Sequence, residues 1–179
     1  MDAAAEAEFS DFVRSRWPRL VRLGYGLSGD LGIAEDLAQS ALVKAYASWP
    51  RVHRAGDPDA YVRRIVVNTS RSRFRKRRVI EQLSGTLPEP GQPDLTGQRD
   101  QRSALMAALL SLPRGQRAVV VLRYWMDMTE TEVAVILGCS VGNVKSQASR
   151  ALAKLRVSPD LIEGPMDGQK VEGKSHEQR

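Results

Sequence analysis

The chain has 179 residues, 42% of them hydrophobic, which suits one ordinary domain or two small ones with a packed core. Its formal net charge is +6 and its sequence pI is ≈ 9.8, which favours a polyanionic partner. A single cysteine, Cys139, excludes an intrachain disulfide, and no Cys/His spacing suits zinc.

The charge is unevenly placed. Residues 1–50 carry net −2, 51–81 carry +7, 82–100 carry −2, 101–157 carry +5 and 158–179 carry −2. Two basic blocks divided by a weakly acidic stretch fit two separate nucleic-acid contacts. The opening MDAAAEAEFSDF is acidic and lacks an apolar core, so no signal peptide is expected. No apolar run approaches the ~20 residues that span a bilayer, and a cytoplasmic location follows as an expectation.

In chain order, Phe9, Phe12, Val13, Trp17, Leu20, Val21 and Leu23 form an amphipathic first segment. Pro18 predicts an irregularity, and Ser28-Gly29-Asp30 predicts a turn. Ala34, Leu37, Ala38, Ala41, Leu42, Ala45, Tyr46 and Trp49 then fall on one helical stripe. Glu35, Asp36, Gln39, Ser40 and Val43 occupy the other side, and Pro50 is expected to end the helix. After a loop at 51–58, Pro58 suits the first position of a third helix. Val62, Ile65, Val66 and Thr69 mark its buried stripe.

The outer side of this third helix is basic. Arg63, Arg64, Arg71, Arg73, Arg75, Lys76, Arg77 and Arg78 lie within sixteen residues. Phosphates would relieve their repulsion and release counterions. Asn68 sits among them. Its amide either bonds locally within the helix or offers a donor and an acceptor to a base edge.

Residues 84–97, SGTLPEPGQPDLTG, hold three prolines and three glycines and read as a linker. About 20 extended residues reach roughly 60 Å, far enough to place two domains on distant sites. Beyond it, Thr129 and Glu132 form a capping box. Gly138 permits a tight turn, and Ser140 can cap a second helix. Val144, Ala148, Ala151, Leu152 and Leu155 face inward. Gly142, Lys145, Ser146, Ser149, Arg150 and Ala153 face out, small, polar and basic. Helix, turn and helix of this kind fit a DNA major groove, whereas an ordinary helical hairpin would leave the face merely solvated. Cys139 in the turn reads as a small packed side chain rather than a redox sensor. Trp17, Trp49 and Trp125 read as core or anchoring residues. His53 and His176 are isolated, and no nucleophile–base pair, phosphate loop or metal set is present, so neither catalysis nor a cofactor is expected.

The runs AEDLAQSALVKAYASW, DAYVRRIVVNTSRSRFRKRR and LLSLPRGQRAVVVLRYWMDMTETEVAVILGCSVGNVKSQASRALAKLR, in that order, resemble extracytoplasmic-function sigma factors, and their sigma-E-like branch most. The resemblance spans about residues 9–157. It implies an all-α fold of two helical domains: region 2 at 1–80, a linker at 81–100, and region 4 at 101–157. The tail at 158–179 is expected to be frayed. The implied function is to bind core RNA polymerase and direct it to promoters. Asp36, Gln39, Ser40 and Val43 would meet the clamp coiled coil of the largest polymerase subunit. Ser40 stands where the family often has Glu, which implies a retuned polar contact. Asn68 would capture a flipped base of the −10 element, with Arg64, Arg71, Arg73 and Arg75 on nearby backbone. Asn143, Lys145, Ser146, Ser149 and Arg150 would read the −35 element. Asn143 and Gln147 replace the commoner Thr and Arg, which implies an altered −35 preference. The family also admits an anti-sigma factor as a partner. The alternative is a free-standing helix-turn-helix regulator, which would bind duplex DNA without polymerase, usually as a dimer.

Overall fold

The N-terminal helix runs unbroken through its proline. The computed structural model describes residues 3–54, 56–84 and 98–162, and in it α1 spans Ala3–Ser28 with Pro18 inside. The expected irregularity does not interrupt the helix, because tertiary packing outweighs the lost backbone bond. Leu20, Leu23, Gly24 and Leu27 are all buried beyond the proline. Gly29, at φ +75, makes the turn. The Asp30 carboxylate then accepts a bond from the Ile33 amide at 2.7 Å and caps α2, Leu31–Ala47.

Helices α1 and α2 meet backbone to backbone at Gly24. A Cβ there would lie 2.8 Å from the Ala34 carbonyl oxygen and 2.9 Å from the Ala34 Cα. Neither atom can swing away. Gly24→Ala gains up to ~1 kcal/mol in helix propensity, while overpacking costs about 1–3 kcal/mol. A net loss of about 1–2 kcal/mol is therefore expected in urea unfolding. A variant as stable as wild type would show that the two helices are not so closely apposed.

Pro50 does not end α2. That helix stops at Ala47, and a short α3, Trp49–Arg54, occupies part of the expected loop. Pro50 sits in the first turn of α3, where its missing amide costs nothing. Trp49 is 1% exposed, with the Phe9 and Phe12 rings at 4.9 and 5.0 Å. Tyr46 departs from the expected stripe: it is 44% exposed and lies edge-on to Phe9. Helix α4, Pro58–Ser84, begins at Pro58 as expected, and the Asp57 carboxylate accepts from the Ala60 amide at 2.9 Å.

The second half contains α5 (Gln98–Ser111), α6 (Arg114–Val120), a π turn (Val121–Trp125), α7 (Glu130–Leu137), α8 (Val141–Arg156) and α9 (Pro159–Ile162). The amides of Met126 and Met128 donate to the Val121 and Leu122 carbonyls at 2.9 and 3.1 Å, which closes the π turn. The described residues are helical with no strand. The linker at 85–97 and the tail from 163 lie outside the described residues. Helices α4 and α5 extend into the stretch expected as linker. Helix α9 and the buried Ser158 give regular structure to the start of the tail expected to be frayed.

The two halves share a core, although the linker predicts two separate domains. One cluster joins Leu20, Leu37, Val62 and Val66 to Val121, Leu122, Val133 and Ile136. Val67 and Ser70 of α4 are 1% and 5% exposed, although neither lies on the expected stripe. The second half covers them: both line a recess shared with Arg114, Arg117 and Ala118 of α6.

Candidate nucleic-acid interface

Helix α8 is aimed by local chemistry. The Thr129 hydroxyl accepts from the Glu132 amide at 3.2 Å, and the Thr129 amide donates to the Glu132 carboxylate at 2.7 Å. Together they close the capping box. Bonds from the Thr129 hydroxyl and then its backbone hold the Glu132 carboxyl below its ordinary range. Gly138 ends α7 at φ 64, ψ 43, left-handed as a glycine allows. Cys139 donates its amide to the Ala134 carbonyl at 3.0 Å and packs against the core. The Ser140 hydroxyl accepts from the Asn143 amide at 3.2 Å and starts α8. Val144, Ala148 and Ala151 are buried, whereas Leu152 and Leu155 are only half-buried. Asn143, Lys145, Ser146, Ser149 and Arg150 are all exposed, and Gln147 is half-buried. Lys145 lies 3.6 Å from the Glu130 carboxylate, an exposed pair that phosphate can displace cheaply.

Helix α4 does not present its cations on one surface. Asn68 and Arg73 open onto a cleft of about 490 Å³ between α2 and α4, which Asp36, Ser40, Lys44, Thr69 and Ser72 also line. Arg73 donates to the Asp36 carboxylate at 3.1 Å, and Lys44 donates to the Thr69 hydroxyl at 3.2 Å. Asn68 is exposed. Arg64 and Arg71 turn instead towards the second half. The Arg64 guanidinium reaches Gly138 of the helix-turn-helix turn, 3.1 Å from where a Cβ would stand. Arg71 lines the recess beside Phe74. Arg75 is exposed.

The outer side of α2 divides in the same way. Asp36 and Ser40 border the polar cleft. Gln39 and Val43 border an apolar groove with Phe9, Val13, Trp17, Leu42 and Tyr46. Val43 is 69% exposed. The sequence reading misses Lys44, Thr69 and Ser72 because the cleft needs two helices brought side by side. It misses Phe9, Val13, Trp17 and Tyr46 as surface residues because apolar periodicity does not distinguish a core from an open groove.

Residues 12–79 match the family described as Sigma-70 region 2, and residues 102–155 match Sigma-70, region 4. The RNA polymerase sigma-E factor of Streptomyces coelicolor is 39% identical over 170 residues, 95% of each chain. The ECF RNA polymerase sigma factor EcfG of Rhodopseudomonas palustris is 32% identical over 148 residues, 81% of each chain. The chain belongs to the extracytoplasmic-function sigma factors. It is a transcription-initiation factor that directs RNA polymerase to promoters, and sigma factors carry no catalytic activity of their own. The alternative of a free-standing regulator is not favoured, since region 2 has no place in it. This sigma factor is also similar to the solved sigma factor RpoE of Bartonella quintana, in complex with the anti-sigma factor NepR. That match has a TM-score of 0.69 and 27% identity, and covers 90% of this chain and 99% of that one. Region 2 corresponds to most of α1 through α4, and region 4 to α5 through α8. No helix among the described residues is long and apolar enough to cross a membrane.

Proposed function

We propose that three exposed faces divide the work of this sigma factor, along the boundaries expected near residues 80 and 101. The α2 face, Asp36, Gln39, Ser40 and Val43, docks on the clamp coiled coil of core polymerase. Asn68 takes an unstacked base of the −10 element, and Arg64, Arg71, Arg73 and Arg75 hold the adjoining backbone. Asn143, Lys145, Ser146, Ser149 and Arg150 on α8 read the −35 duplex. This places the protein in the cytoplasm with polymerase and chromosome. An anti-sigma factor is a further partner, in keeping with the similarity to a sigma factor solved with one. No cofactor is needed.

The observation that carries this reading is the outer face of α8. It is small, polar and exposed along its length, while the opposite face is locked into the core. A helix so held can enter a major groove without a bulky side chain in the way. Arg150→Ala tests it by gel shift of the polymerase holoenzyme on promoters varied through the −35 element. Discrimination should fall by about 1–3 kcal/mol at one position if Arg150 reads a base. An equal loss on every sequence would make it a phosphate contact. No loss at all would remove it from the interface.

A further inference from the structure

The cleft between α2 and α4 has an apolar floor and a rim of hydrogen-bond donors. Leu37, buried, and Ile65, half-buried, form the floor. Two cations stand on the rim, and they are held differently. Arg73 donates to the Asp36 carboxylate at 3.1 Å, so its charge is balanced. Lys44 donates to the Thr69 hydroxyl at 3.2 Å, a neutral acceptor. It has no carboxylate within ion-pair distance among the described residues.

The cause lies in the sequence of α2. A lysine on a helix is most readily paired by an acid three or four residues away along the chain. Those positions around Lys44 hold Ser40, Ala41, Ala47 and Ser48. Ser40 lines the cleft one turn before Lys44, but it is short and uncharged. The cleft therefore carries one unbalanced positive charge. Its tie to Thr69 holds the ammonium over the cleft, next along α4 to Asn68, rather than out in solvent.

An ammonium has three donors and no acceptor. With one on Thr69, Lys44 has two to offer. The exposed Asn68 amide offers one donor edge and one acceptor edge. Alone, such an amide pairs well with adenine, through N6 and N7. A donor-only cation beside it changes that preference, because it attracts a carbonyl oxygen and repels an amino group. A base out of the stack presents its whole edge. Guanine, thymine and cytosine each carry a carbonyl oxygen there. Adenine carries none.

We propose, resting on the reading that Asn68 takes an unstacked base, that Lys44 sets the preference of this cleft: it selects a carbonyl-bearing base of the −10 strand and disfavours adenine. Ser40 takes part by leaving Lys44 unpaired. A glutamate at that position would precede Lys44 by one turn, the more favourable order for a helical ion pair, and would quench its charge.

The test is open-complex formation on promoters that carry each base in turn at each −10 position, counted as heparin-resistant complexes. Core polymerase is present at a concentration that loads every variant, so an effect of Ser40 on docking does not enter. Wild type should disfavour adenine about tenfold at one position, the loss expected for one hydrogen bond to a charged group. Lys44→Met keeps the apolar stem and removes the charge, and adenine should then serve as well there as the other bases. Lys44→Arg should preserve the preference. Ser40→Glu should weaken it, and should add nothing in the Lys44→Met background, since both act on one charge. A preference that survives Lys44→Met, or an equal loss on all four bases, would overturn the proposal. Asn68→Ala separates the two readings. If it opens every promoter as wild type does, no base enters the cleft and both readings fail. If it impairs opening while Lys44→Met still disfavours adenine, the Lys44 assignment alone fails.

Discussion

Asn68→Ala is expected to cut promoter opening by roughly 10- to 100-fold while core polymerase binding persists. Asn68 is exposed on α4, and its amide has no hydrogen-bond partner among the described residues. The substitution therefore removes no structural interaction and should change stability by no more than about 0.5 kcal/mol. Its expected effect is on DNA. Taking a base out of the stack costs a few kcal/mol, and the Asn amide returns part of that through a donor and an acceptor on the base edge. Such a pair contributes about 1–3 kcal/mol, so open complexes should fall by roughly 10- to 100-fold at limiting polymerase. Permanganate reactivity of unpaired thymines at the −10 element reads this directly. Wild-type reactivity in the variant would take Asn68 out of the site. The cleft beside it has room for a base, and its rim of Ser72, Thr69 and Lys44 supplies further donors.

Val43→Glu is expected to cause a comparable loss at an earlier step. Val43 is 69% exposed on a helix whose other side is closed, so the substitution should leave the fold intact. In the proposed docked complex the side chain would be buried beside the apolar groove that Trp17 and Tyr46 also line. A carboxylate there must be desolvated without a partner, and residues at the centre of an interface commonly cost ≥ ~2 kcal/mol when disrupted. Core affinity should fall about 30-fold or more, with DNA contacts on α8 unaffected. Native affinity in the variant would place the docking surface elsewhere.

Local chemistry explains what could be read in advance. Thr129, Glu132, Gly138 and Ser140 act within three or four residues of themselves, and all four do in the fold what their types suggest. The α2 stripe was legible because a helix buried on one side repeats in sequence, and it failed at Tyr46, where the stripe runs out over an open groove. Pro50 was misread because a proline that cannot continue one helix can begin the next. What stayed hidden depends on contacts distant in sequence. Val67, Ser70 and Gly26 lie off their helices' main stripes and are buried only because the second half covers them. Arg117 reads as one more positive charge among many, and nothing nearby in sequence reveals that it reaches the end of a helix ninety residues before it. The cations of α4 look like a single basic face in sequence. Packing divides them between the cleft and the interface.

Transcription in vitro with purified core RNA polymerase and a library of promoter fragments tests whether this chain directs polymerase to promoters. Adding this chain should produce transcripts from a defined subset, each dependent on both its −10 and −35 sequences and absent with core enzyme alone. Failure to bind core, together with no transcript from any fragment, would contradict the account.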